Sequence, residues 1–168
     1  EVWNPTLETL PFPRTAMILG FGYIGRELSK LLKGDGLKVW GVKRYLDDAS
    51  RAFCDKLYDA DSWQKLLPDV DLCFLTLPLN PGTKGIFDEH CLRSLPPHAV
   101  LVNVGRGGTL DTQALIRVLR DGHLGGVGLD VVDPQPPSPG DPIWGTPRLL
   151  LTPYVAAHYP GRPQVLED

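Results

Sequence analysis

A chain of 168 residues, 42% hydrophobic and 22% charged, is long enough to bury one core without disulfide or metal staples. A net charge of −3 leaves no basic surface to argue for nucleic acid or an anionic membrane, and the apolar runs fall short of the roughly 18 residues of a membrane helix. Cys54, Cys73 and Cys91 form no CxxC pair, no His/Cys/carboxylate spacing suggests a metal, and Glu1–Pro5 lacks the parts of a signal peptide, so a cytoplasmic chain with free thiols is expected.

Residues 1–15 carry Pro5, Pro11 and Pro13 without periodicity and read as an extended lead-in. Ala16–Leu19 is an apolar strand that runs into Gly20-Phe21-Gly22-Tyr23-Ile24-Gly25. A helix follows, with Ile24, Leu28, Leu31 and Leu32 at helical spacing and Gly34 placed for a left-handed cap. Strand, GxGxxG and helix in this order form a dinucleotide fingerprint. Gly20 permits the tight turn, Gly22 the approach of backbone to a pyrophosphate, and Gly25 the packing of helix on strand. The N–H groups at the helix start, those of Tyr23 and Ile24 among them, then face the phosphates with the helix dipole behind them.

Leu37–Val42 is a second strand, ending in Lys43-Arg44. The NAD fingerprint places a carboxylate there for the adenosine ribose 2′-hydroxyl, whereas two cations attract a 2′-phosphate. NADP(H) is therefore preferred as the cofactor, with NAD(H) as the second choice; a pair of solvated surface cations is the plain alternative. Residues 47–55 suggest a short helix, and Asp61 with Gln64 forms a capping-box pattern for a helix that stops before Pro68.

Asp71–Leu77 reads as a strand covered on both faces, followed by a loop with Pro78, Pro81 and Gly82 and a short helix over Asp88–Ser94. Ala99–Val104 is another buried strand and leads into Gly105-Arg106-Gly107-Gly108. Asp111 caps a helix through Leu119 that ends at Asp121-Gly122. Gly125–Val131 is a strand whose glycines suggest close approach of a neighbouring backbone. A proline-rich loop spans Pro134–Pro147, and Leu149–Thr152 is a last short strand. Strands alternating with helices predict an α/β fold of Rossmann type: one doubly wound parallel sheet, a single domain over residues 16–157, with 158–168 as a tail. Ligands then gather at the carboxyl ends of the strands.

Several ordered motifs resemble the nucleotide-binding domain of the D-isomer-specific 2-hydroxyacid dehydrogenases. They are Gly20-x-Gly22-x-x-Gly25, Leu77-Pro78-Leu79-Asn80-Pro81-Gly82-Thr83, Val102-Asn103-Val104-Gly105-Arg106-Gly107-Gly108, Gly128-Leu129-Asp130-Val131 before Pro134-Gln135-Pro136, Asp141-Pro142-Ile143-Trp144, and Leu151-Thr152-Pro153. The family uses an arginine, a glutamate and a histidine in that chain order. Arg106 matches the arginine, which binds a substrate carboxylate and polarises the keto oxygen. Gln135 stands at the glutamate and Tyr154 at the histidine. A tyrosine stays protonated near neutral pH and is a poor base there. Two readings stay open for Tyr154: it donates a proton to the developing alkoxide, or it packs against the nicotinamide.

By the same resemblance Asp130 helps hold the nicotinamide end, Leu77 and Pro78 line the adenosine side, Thr83 lies near the phosphates and Val104 beside the cofactor. His158 reads as a surface histidine rather than a displaced acid, His90, His98 and His123 receive no role, and Asp133 is a loop aspartate close to the site. Full family members add a substrate domain, expected to be largely missing here, and form homodimers packed through this one. The resemblance implies an NAD(P)-dependent oxidoreductase moving hydride between nicotinamide and a small 2-oxo or 2-hydroxy acid. The alternative is a cofactor-binding module without dehydrogenase chemistry, a sensor or interaction partner.

Overall fold

β1 (Thr15–Leu19) is buried along its whole length because it runs between β2 (Lys38–Val42) and β4 (Leu72–Leu75), in the middle of a seven-stranded sheet. The computed structural model describes residues 12–157; most of the lead-in, the 158–168 tail and His158 lie outside the described residues. The sheet adds β3 (Lys56–Tyr58), β5 (Val100–Asn103), β6 (Gly126–Leu129) and β7 (Leu149–Leu151), in the order β3-β2-β1-β4-β5-β6-β7 with every pair parallel. The connections carry α1 (Tyr23–Gly34), α2 (Asp48–Arg51), α3 (Glu89–Ser94) and α4 (Thr112–Arg120), with turns of 3-10 helix at Gln64–Asp69, Gly107–Thr109 and Pro142–Gly145. Parallel strands need such crossovers, and the crossovers cover the sheet.

The strands alternate faces. Met17, Leu19, Cys73, Leu75, Leu101, Val127 and Leu129 join the larger core, which also holds Leu92 of α3 and Leu115 of α4. Ile18, Val39 and Phe21 form the smaller one, against which Leu28 and Leu32 of α1 pack. The buried residues of α1 are Gly25 and Ser29, so its inner face runs 25, 28, 29, 32. Of the four apolar residues that recur at helical spacing, Ile24 and Leu31 share the outer flank and are exposed. Asp111 caps as expected, accepting the Ala114 N–H at 2.9 Å, and Asp88, read as the first helical residue, is instead the N-cap of α3 and accepts the Cys91 N–H at 3.0 Å.

Four local readings change. Between Val42 and Asp71 the sequence shows no strand, yet Lys56–Tyr58 pairs with β2; three residues at a sheet edge are too few for periodicity to register. Gly34 stays inside α1. The left-handed residue is Gly36 (φ +84), and the Gly36 N–H to Lys33 carbonyl and Leu37 N–H to Leu32 carbonyl bonds complete a Schellman closure. Asp61 caps nothing: its own N–H donates to Asp59, while the 3-10 turn starts after Trp63 and contains Pro68. Trp63 is 1% exposed and stacks on Phe87 with ring centroids 5.8 Å apart, so tertiary burial sets that start. A Cβ at Gly126 or Gly128 would meet nothing closer than 3.8 Å, so the glycines of β6 mark no close backbone approach.

The three cysteines are buried free thiols, and burial pushes the Cys91 thiol up to about 12. Among the described residues no helix is long and apolar enough to cross a membrane, and no cluster of histidine, cysteine and carboxylate could hold a metal ion.

Candidate active site

The turn after β1 is tied to the end of β2, because the N–H groups of Gly20 and Phe21 both donate to the Val42 carbonyl, at 3.0 and 2.9 Å. Gly20 has φ +94, and a Cβ there would lie 2.8 Å from the Thr76 carbonyl; the Thr76 hydroxyl in turn donates to the Gly20 carbonyl at 2.9 Å. Gly25 packs as expected, its missing Cβ falling 3.1 Å from Ile18. Gly41 was not singled out from sequence, yet a Cβ on it would strike the Phe21 ring at 2.6 Å, so this glycine seats the whole turn on the sheet.

Gly22 is the N-cap of α1. It makes no side-chain cap, the first turn carries no acidic residue, and a Cβ on Gly22 would meet only the Gly20 carbonyl at 3.8 Å. The leading N–H groups of a 12-residue helix thus receive no side-chain cap, and Tyr23 and Ile24 beside them are exposed. That arrangement fits a pyrophosphate. At the end of β2 the two cations differ. The Lys43 ammonium is bonded to the Asp47 carboxylate and to the Ser50 hydroxyl, whereas Arg44 lies over the Tyr45 ring with no carboxylate partner among the described residues.

The Leu77–Thr83 loop is closed on itself: the Thr83 hydroxyl donates to the Pro78 carbonyl at 2.6 Å and accepts the Asn80 N–H at 2.9 Å. The Thr83 hydroxyl therefore shapes its own loop. Leu77 lies against the next loop, where a Cβ on Gly105 would come within 2.8 Å of its carbonyl, and Pro78 is exposed. The Val104 N–H donates to the Leu75 carbonyl and extends the β4–β5 ladder by one bond.

Arg106 stands at the carboxyl end of β5, in a turn built by two fully buried polar residues. Asn103 accepts the Gly105 N–H and donates its amide to the Arg106 carbonyl, at 3.0 and 3.3 Å; Thr109 donates its hydroxyl to the same carbonyl at 2.7 Å. Sequence reasoning gave neither residue a role, although an asparagine within an apolar strand run was a usable signal. The Arg106 side chain is exposed, bonds the Gly105 carbonyl at 2.8 Å and has no carboxylate partner among the described residues.

Gly107 brings the loops together. A Cβ there would fall 2.1 Å from the Val132 carbonyl, so the turn after β5 touches the segment after β6 backbone to backbone. Arg106, Gln135 and Tyr154 consequently line one cavity of about 310 Å³, with Leu79, Val132 and Asp133. Gln135 bends back so that its side-chain amide oxygen, Oε1, accepts the Val132 N–H at 3.4 Å. Tyr154 adopts φ +57 and donates its N–H to the Asp130 carbonyl at 3.1 Å. The Asp130 side chain is buried and accepts the Val155 and Ala156 N–H groups, so it fastens the segment that carries Tyr154. The arrangement joins a guanidinium for an anionic group, a phenol to donate a hydrogen bond and a carboxamide, at the end of the sheet where the dinucleotide turn opens.

Comparison with known proteins shows the family. The family model for the D-isomer specific 2-hydroxyacid dehydrogenase NAD binding domain matches residues 3–156. The glycerate dehydrogenase of Methylorubrum extorquens is 33% identical over 156 residues, which cover 92% of this chain and 46% of that protein. The crystal structure of an NADPH-dependent glyoxylate/hydroxypyruvate reductase from Sinorhizobium meliloti, in complex with NADP and sulfate, superposes with a TM-score of 0.77 at 32% identity, covering 86% of this chain and 46% of that one. The NAD-complexed 2-hydroxyacid dehydrogenase of Lactobacillus delbrueckii superposes at 0.76 and 26% identity, covering 87% and 47%. The chain spans about half the length of the relatives it matches. It belongs to the D-isomer specific 2-hydroxyacid dehydrogenase family and is an NAD-binding domain of that family.

Proposed function

We propose that this domain serves an NADP(H)-preferring dehydrogenase that moves hydride between a nicotinamide cofactor and a small 2-oxo or 2-hydroxy acid. The observation that carries the reading is the convergence of Arg106, Gln135 and Tyr154 on one cavity at the carboxyl ends of β5, β6 and β7. The first turn of α1 with Gly20, Gly22 and Gly25 holds the pyrophosphate, and Lys43 and Arg44 face the adenosine ribose, where a 2′-phosphate meets positive charge. A nicotinamide bound there supplies hydride. Arg106 binds the substrate carboxylate and polarises the carbonyl oxygen, which gains charge as it is reduced. The Tyr154 hydroxyl donates the proton to that oxygen, and Gln135 orients the pair through its amide.

The Methylorubrum glycerate dehydrogenase and the Sinorhizobium reductase support the substrate class; similar structures hold NADP in one case and NAD in another, so the preference rests on Lys43 and Arg44. Self-association through this domain belongs to the same reading, and sedimentation velocity tests it. The central test titrates NADPH and NADH and follows cofactor absorbance with glyoxylate and hydroxypyruvate. Tight NADPH binding with no oxidation by any 2-oxo acid would leave the second reading, a cofactor-binding module. Gln135 and Tyr154, where the family's glutamate and histidine are expected, are what favour that reading.

A further inference from the structure

The cofactor preference rests on Lys43-Arg44, yet only one of those charges faces the solvent uncompensated. Lys43 immediately follows Val42, whose carbonyl holds the glycine turn, and its own N–H is bonded to Tyr58 at the sheet edge. Its ammonium is occupied by the Asp47 carboxylate and the Ser50 hydroxyl (2.9 Å). Asp47 cannot easily retreat, because it is the N-cap of α2: one oxygen accepts the Ser50 N–H at 2.7 Å and the other the Ser50 hydroxyl at 3.0 Å, from a fully buried serine. The Lys43 hydrogen bond and the Ser50 N–H hold the Asp47 carboxyl down at about 2, so no ordinary change of pH releases the lysine.

A neutralised pair offers a 2′-phosphate one ammonium hydrogen and no net charge, while the adjoining carboxylate repels it. Toward NAD(H) the same carboxylate is useful, since a ribose 2′-hydroxyl needs an acidic acceptor near the end of β2, and neither Lys43 nor Arg44 is one. Arg44, stacked on Tyr45 and free of any carboxylate among the described residues, keeps its full charge.

We propose that Asp47 is a cofactor-selectivity residue: anchored as the cap of α2, it competes with the 2′-phosphate for Lys43, restrains the preference for NADP(H), and leaves Arg44 as the cation that carries it. This rests on the reading that the end of β2 receives the adenosine ribose.

The test titrates NADPH and NADH into the parent chain, Asp47→Asn, Lys43→Met and the double variant, by quenching of intrinsic fluorescence. Asparagine caps helices as well as aspartate, so D47N removes charge and keeps α2, which thermal unfolding verifies. D47N is expected to raise the NADPH-to-NADH affinity ratio about five- to tenfold, with the gain lost in the K43M background. A ratio that stays level or falls in a folded D47N chain overturns the proposal, as does an equal gain without Lys43. If the parent prefers NADPH and D47N changes nothing, Asp47 loses its role and the NADP(H) reading stands. If the parent shows no preference and D47N acquires one, the reading falls for the parent and the role of Asp47 stands. If neither chain discriminates, both fall.

Discussion

The Thr152 hydroxyl donates to the buried Asp130 carboxylate at 2.5 Å, and through this bond the end of β7 is locked to the end of β6. The same carboxylate accepts the Val155 and Ala156 N–H groups at 2.9 and 3.0 Å, so its bonds flank Tyr154, which takes a left-handed backbone that a tyrosine rarely adopts. Asp130 thus acts on the candidate site by holding Tyr154 in place. Asp130→Ala is expected to cost about 2–4 kcal/mol of stability, because among the described residues the Thr152 hydroxyl and the Val155 and Ala156 N–H groups lose their acceptor. The local signature is faster amide exchange at Val155 and Ala156. Persisting protection at those two amides would show that something else holds the segment.

Tyr154→Phe removes a single hydroxyl from the cavity wall. If that hydroxyl donates the proton, reduction of glyoxylate slows by about 10²-fold while NADPH affinity stays within twofold. Unchanged turnover would leave Tyr154 as packing for the nicotinamide.

Arg106 has no carboxylate partner among the described residues, and its side chain hydrogen-bonds the Gly105 carbonyl. Arg106→Gln should therefore leave the melting temperature nearly unchanged and lower kcat/KM for a 2-oxo acid by about 10²–10³-fold. A fall in stability as large as the fall in activity would instead assign the guanidinium to the fold.

Gly107→Ala places a methyl group 2.1 Å from the Val132 carbonyl, against backbone that belongs to another loop. Neither side can yield without parting the turns that form the cavity. A loss of about 3 kcal/mol or more is expected from urea unfolding, against less than about 1 kcal/mol for Gly82→Ala, whose nearest neighbour is a side-chain oxygen at 3.4 Å.

At the opposite end of the sheet, the Asp71 carboxylate accepts the Arg14 and Thr15 N–H groups and bonds His98 at 2.8 Å. Burial pushes its carboxyl up, but the His98 bond and the two backbone donors outweigh burial and hold it below the usual carboxylate range. A pKa lowered on folding stabilises the fold above the unfolded value, and that stability disappears as pH falls through the folded one. Asp71→Asn should thus cost about 1–2 kcal/mol at pH 7 and progressively less as pH falls below about 4, where the unfolded carboxyl takes up a proton first and the folded one follows at lower pH. Parallel melting curves from pH 7 to pH 3 that keep a constant gap would defeat this account.

Much of the architecture was legible along the chain. The strand, glycine turn and helix from Ala16 to Gly34 are local, as are the cap at Asp111 and the apolar runs of β4, β5 and β6. Each is encoded by periodicity or hydrogen bonding within a few residues of itself. Arg106 could be picked out because its turn, with Asn103 two residues into the same motif, is also local. Readings failed where a distant contact overrode the neighbours: Trp63 beneath Phe87 moved the start of its helix, and β3 exists only because β2 lies beside it.

By itself the sequence determined most of the elements, their parallel α/β arrangement, the glycine turn after β1 and the chemical types in the cavity. Tertiary structure alone decided that Arg106, Gln135 and Tyr154 line a common wall, that Asp130 holds the last of them, and that Lys43 is neutralised by Asp47 while Arg44 is not. The reason is physical. An element forms from interactions between neighbours, whereas the place and charge of a side chain at a strand end depend on which loops the sheet order brings into contact.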